Sequence, residues 1–239
     1  MEVIIAFNNK GCQYCQSGDF DNAFACFRNA TMGLRLLREK NSSCYHDCHC
    51  VEEYSNKKCI DKYYNPIQGW SEQLRPRTIE GEGAIVFSRM IIMNQYDSIN
   101  YAMASSRYKD IVALSLMYNL GLLHHLQSDS TVQNSKAIEA TYHAYKQAIL
   151  ISQKFEKTEC TIFPFDLEAL RMALINNMGA LYNNNICQYR DAIRCFRSWR
   201  RHMDILEAEF VHNSLMTPEE ILQFSMNMLI VPIAASPAA

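Results

Sequence analysis

The residues best equipped for chemistry lie together in Cys44-Tyr45-His46-Asp47-Cys48-His49-Cys50, with Cys59 a short way on. Zinc needs four nitrogen or sulfur ligands, and Cys44, His46, Cys48 and Cys50 would supply them. Their spacing matches the usual cysteine pair only loosely and no second well-spaced pair follows, so a reduced, solvated loop competes with a metal or redox module here. The adjacent His124 and His125 suggest acid–base work, but both sit inside a helical pattern. There His124 is expected as a packed ring, and His125 is expected to face a groove or solvent. Arg190, Arg194, Arg197 and Arg201 recur at i, i+4, i+7 and i+11 and so share one helix face. Such a stripe suits an acidic partner or phosphates, although Asp191 and Asp204 beside it favour a solvated outer face. No nucleophile motif, phosphate loop or dinucleotide fingerprint is present, and the 8 glycines are too sparse to cradle phosphate. The residues therefore point to a non-catalytic protein with no cofactor.

What positions these side chains is mostly helix. The 239 residues are 49% hydrophobic, with material for a sizeable core, while Gly at 8 and Pro at 6 are too few for the tight turns of a large β-fold. A net charge of −2 removes the long-range field on which non-specific nucleic-acid or anionic-membrane binding depends. Apolar stretches such as Ile111 to Leu126 are interrupted by Ser115, Asn119, His124 and His125, short of a membrane span. Met1 to Phe7 follow no basic region and stop at the polar Asn8 to Lys10, unlike a secretory signal. Of the 10 cysteines, Cys12, Cys15, Cys26, Cys187 and Cys195 fall in helical patterns, where a small buried hydrophobe is the simplest reading. A cytoplasmic or nuclear location is the expectation.

Internal self-similarity is the strongest signal. An Asn-x-Gly triplet occurs at Asn9-Lys10-Gly11, Asn119-Leu120-Gly121 and Asn177-Met178-Gly179, each followed three residues after the glycine by a ring: Tyr14, His124 or Tyr182. A second amphipathic stretch follows each, carrying Ala23, Phe27 and Ala30, then Thr141, Tyr145 and Ala148, then Ala192 and Phe196. This spacing resembles the tetratricopeptide repeat, in which a glycine on a first helix admits the second closely and an aromatic fills the space between repeats. The resemblance implies an all-α fold of stacked antiparallel helix hairpins at 1–39, 107–154 and 164–210. The third hairpin carries one extra residue in an Asn183-Asn184-Asn185 turn.

Between the first two hairpins, residues 40–106 form an irregular insertion. Tyr63 to Pro76 contain the turn formers Pro66, Gly69 and Pro76, whereas Ala84 to Met93 is a β-branched and apolar run that reads as strand. A lone strand needs a partner, expected from Cys59 to Tyr64 or another part of the insertion. Thr217-Pro218-Glu219-Glu220 supplies a capping signature for a final helix, 217–229, with a loose tail at 230–239.

The same resemblance implies that first helices line a concave surface and that the residue two before each glycine points into it. That residue is asparagine all three times: Asn9, Asn119 and Asn177. Gln16, Tyr118, His125, Asn176 and Asn183 are expected beside them, with Asn8 and Asn184. An amide both donates and accepts, which suits the backbone of an extended peptide. Chaperone-tail adaptors of this family carry a cation one turn earlier, where this chain has Ile5 and Ala173, so a chaperone C-terminal tail is not the expected partner. The expected function is a scaffold taking an unidentified protein segment in an asparagine-rich groove. The alternative that asparagines merely satisfy neighbouring backbone stays open.

Overall fold

The computed structural model describes residues 1–43, 67–71, 84, 86–93, 106–128, 135–156, 165–212, 221–222 and 225–227. Cys44, His46, Cys48, Cys50 and Cys59 lie outside the described residues, as does the Cys59 to Tyr64 stretch. The described chain is mainly helical. Its elements are α1 (Glu2–Gln16), α2 (Phe20–Ser43), β1 (Ile67–Trp70), β2 (Ile91–Met93), α3 (Ser106–Ser128), α4 (Ser135–Glu156), α5 (Phe165–Asn184) and α6 (Tyr189–His212). The helices pack as hairpins α1·α2, α3·α4 and α5·α6, and each hairpin meets the next through α2·α3 and α4·α5.

One register repeats through all three hairpins. A Cβ placed on Gly11 would lie 2.7 Å from the Phe27 ring; on Gly121, 2.6 Å from Tyr145; on Gly179, 2.6 Å from Phe196. The three glycines thus occupy equivalent places, each opened so that a ring of the second helix can lie against the first. Four residues before those rings stand Ala23, Thr141 and Ala192, all fully buried. Three residues after them come Ala30 and Ala148, but Trp199 fills that place in the third hairpin and is 1% exposed. Between hairpins the match continues: His124 meets Phe24 edge-on at 5.4 Å, and Tyr182 meets Tyr142 at 6.3 Å. Phe24 and Tyr142 each precede their hairpin's buried ring by three residues.

The turns explain how the third unit absorbs its extra residue. In the first hairpin the Asp19 N–H closes on the Tyr14 carbonyl at 2.9 Å, helped by Gly18 at φ 78°. In the third, the Gln188 N–H closes on the Tyr182 carbonyl at 2.9 Å, one residue further along, and Cys187 takes φ 58°. The Asn183-Asn184 pair is still helical, so the turn expected there begins later.

The insertion supplies a two-stranded antiparallel sheet, pairing Ile67 with Met93, Gly69 with Ile92 and Trp70 with Ile91, with an irregularity between Ile67 and Gly69. Among the described residues of the expected Ala84 to Met93 run, strand character is found at Ile91–Met93. The partner comes from within the Tyr63 to Pro76 stretch that its prolines and glycine marked as turns. Packing decided this: Ile67 is buried and the Trp70 ring stands edge-on to Phe87 and Tyr118. Near the C-terminus, Ile221 joins the core while Leu222 is 64% exposed, so only part of the apolar face expected of a final helix is covered.

Candidate functional site

An asparagine side chain carries an amide with the same donor and acceptor as a peptide group, so it can pair with one residue's N–H and C=O at once, as a neighbouring strand would. The three repeat asparagines do this to residues 84–93 of their own chain. Asn9 Nδ2 donates to the Met93 carbonyl at 2.6 Å and the Met93 N–H donates to Asn9 Oδ1 at 2.9 Å. Asn119 does the same to Ile91, at 2.9 and 2.8 Å, and Asn177 to Phe87, at 2.9 and 2.7 Å. A fourth pair joins Asn184 to Ala84, at 2.9 and 2.8 Å.

The geometry follows from parity and length. Along a strand, alternate residues present their N–H and C=O to the same edge. Phe87, Ile91 and Met93 share one parity and face the helices, whereas the Met90 backbone turns to Ser71, donating to its Oγ at 2.9 Å and accepting from its N–H at 2.8 Å, and Ala84, outside the strand, pairs with Asn184 at the other parity. Three first helices spaced by the usual 8–10 Å span roughly 20 Å. The nine residue steps from Met93 back to Ala84 cover about 30 Å as strand but only about 14 Å as helix, so the segment has to run extended across the array.

Other groups reinforce these pairs. Tyr118 is fully buried and its hydroxyl donates to the Arg89 carbonyl at 2.9 Å. Burial holds its phenol pKa well above 10, with Tyr145 adding to the effect, so it stays a neutral donor. Asn8 donates to the Ile91 carbonyl at 3.0 Å and accepts from Asn119 Nδ2 at 2.9 Å. Cys12 Sγ lies 3.4 Å from the same carbonyl. The segment's side chains complete the fit: Phe87, Met90, Ile91 and Met93 are at most 1% exposed.

Of the groove residues expected from sequence, Asn9, Tyr118, Asn119 and Asn177 come together here. Asn183 is half-buried and donates to Asn184 Oδ1 at 2.9 Å, orienting the fourth pair. The others lie elsewhere. His125 is fully buried, not in the groove or solvent, with Nδ1 3.3 Å from the Tyr145 hydroxyl. It is turned toward α4 because α3, enclosed by its neighbours, has almost no free face. Asn176 is buried and accepts from Asn227 at 2.8 Å, which ties α5 to the C-terminal residues. Gln16, two turns beyond Asn9 as Asn184 is beyond Asn177, is exposed at the end of α1. Asn8 and Asn184 carry more than the supporting place the sequence suggested, and Asn184 has a legible signal in its seven-residue offset from Asn177. The roles of Ser71, Trp70 and Asn227 were not legible.

The remaining chemistry is muted. Burial pushes the Cys15 and Cys195 thiols up to about 12, with Cys26 and Asp191 respectively adding to it, and raises Cys12 well above its usual range. These thiols stay protonated at neutral pH and are poor nucleophiles. Among the described residues no group of His, Cys, Asp and Glu is arranged to hold a metal, and no helix is long and apolar enough to cross a membrane. Arg190, Arg194, Arg197 and Arg201 are all exposed along the outside of α6, opposite the buried Ala192, Phe196, Trp199 and Met203, and Arg194 pairs with Asp191 at 2.9 Å. No protein-family model, curated protein or solved structure matches this chain.

Proposed function

We propose that this chain is a non-catalytic protein-interaction scaffold, built from tetratricopeptide-like hairpins, whose asparagine-lined face holds an extended polypeptide by its backbone. The single observation that supports this most is the set of four paired amide contacts along one segment, at Ala84, Phe87, Ile91 and Met93. Three of the four asparagines come from the same place in three repeats, so the surface repeats a backbone-reading device at the spacing of the helices. Recognition of this kind takes affinity from main-chain hydrogen bonds and selectivity from pockets for alternate side chains. The hydroxyl, amide and thiol groups of the groove are neutral, which suits an uncharged segment better than an acidic tail or nucleic acid.

The test is affinity capture with the full chain, followed by scanning N-methylation of the captured segment. Methylating an amide that an asparagine accepts from removes one bond and adds a clash, so affinity should fall at least about tenfold at such positions and little at those between. Asn119→Ala combined with Asn177→Ala should weaken capture similarly. If capture survives both asparagine replacements unchanged, the groove is not the docking surface and the proposal fails.

A further inference from the structure

We infer that residues 84–93 are an internal occupant of the groove, competing in place with an extended, apolar segment of a partner protein; this rests on the groove being a peptide-binding surface. The asparagines and Tyr118 address backbone atoms only, so they cannot distinguish this segment from another chain that offers N–H and C=O groups at the same spacing. Discrimination comes from the side chains. Phe87 sits edge-on to Trp70 at 5.0 Å, and Met90, Ile91 and Met93 are enclosed. A competing partner therefore needs an aromatic at the Phe87 place, large apolar residues three, four and six positions later, and no proline where an asparagine accepts an N–H.

On its other edge the segment is held by three β1–β2 residue pairs of irregular register and by the two hydrogen bonds between Met90 and Ser71. A tethered segment acts at an effective concentration on the order of millimolar, so it suppresses a weak free competitor and yields to a strong one. The groove would thus be open only to a partner that outbids its resident.

A labelled synthetic peptide with the sequence of residues 82–95, titrated into the full chain, tests this. In a Phe87→Asp, Ile91→Asp variant, which loses its own segment's grip, the peptide should bind at least about 30-fold tighter than to the native chain, because apparent affinity scales with the fraction of open groove. Adding Asn119→Ala and Asn177→Ala should remove that binding. Equal affinity for the native chain and the variant overturns the competition while leaving the groove reading intact. Binding to neither, with helical circular dichroism retained in the variant, overturns both. If the variant loses its helices, hydrogen exchange on the native chain decides: about 1 mM peptide should speed exchange of the chain's own Phe87 and Ile91 amides, and unchanged exchange overturns the inference.

Discussion

At the scale of single residues, the asparagines that hold the backbone of residues 84–93 stand or fall on a stability measurement. Replacing Asn177 by Ala leaves the buried Phe87 N–H without its acceptor, which should lower unfolding stability by about 1–3 kcal/mol. Gln16→Ala, at an exposed place, should change it by less than about 0.5 kcal/mol in the same urea titration. Ionisable groups give a second signature. His124, packed against Phe24, is held below its usual 6.5 by burial, so the unfolded chain takes up a proton first as pH falls. Stability should drop below about pH 6.5, and His124→Phe should flatten that slope. At the other end the unfolded thiols ionise near 9, whereas Cys15 and Cys195 keep their protons to about 12. Between these values the unfolded chain binds fewer protons and stability falls as pH rises, less steeply in a Cys15→Ala, Cys195→Ala variant. Asn9, Asn119 and Asn177 were legible in the sequence because the repeat spacing placed them on one face. What they bind was not, since Met93, Ile91 and Phe87 lie 84, 28 and 90 residues away.

At the scale of elements, the close approach of paired helices depends on glycine. Gly121→Ala would put a methyl 2.6 Å from the fully buried Tyr145 ring, which has nowhere to go. The clash costs about 1–3 kcal/mol against a gain of roughly 1 kcal/mol in helix propensity, so thermal unfolding should come earlier. Gly33→Ala meets only the Ile4 side chain, at 3.0 Å, and should be nearer neutral. Cys187→Gly should raise stability by about 0.5–1 kcal/mol, since Cys187 holds a left-handed backbone at the turn that absorbs the extra residue. The hairpins were readable because local spacing carries them: Gly11 and Phe27, or Gly179 and Phe196, are less than twenty residues apart. The strand partner came from the insertion, as expected, but from a stretch marked as turn. Pro66 and Gly69 gave a turn signal, but burial of Ile67 and the Trp70 contacts with Phe87 and Tyr118 outweighed it.

For the whole molecule, the central claim is that an inserted segment crosses three stacked hairpins and is gripped by its backbone at four places. The asparagines expected to line a groove satisfy the backbone of Met93, Ile91, Phe87 and Ala84 of the same chain, the alternative that the sequence left open. Sequence periodicity cannot report such an arrangement, because the pairing is set by groups that become neighbours only once the hairpins have stacked. Residue-resolved hydrogen exchange tests it most directly. The amides of Ala84, Phe87, Ile91 and Met93 should be protected to an extent comparable with the helices, and Asn177→Ala should release Phe87 selectively while α1 to α6 stay protected. Exchange of all four at the rate of an unstructured chain, with the helices still protected, would contradict the account.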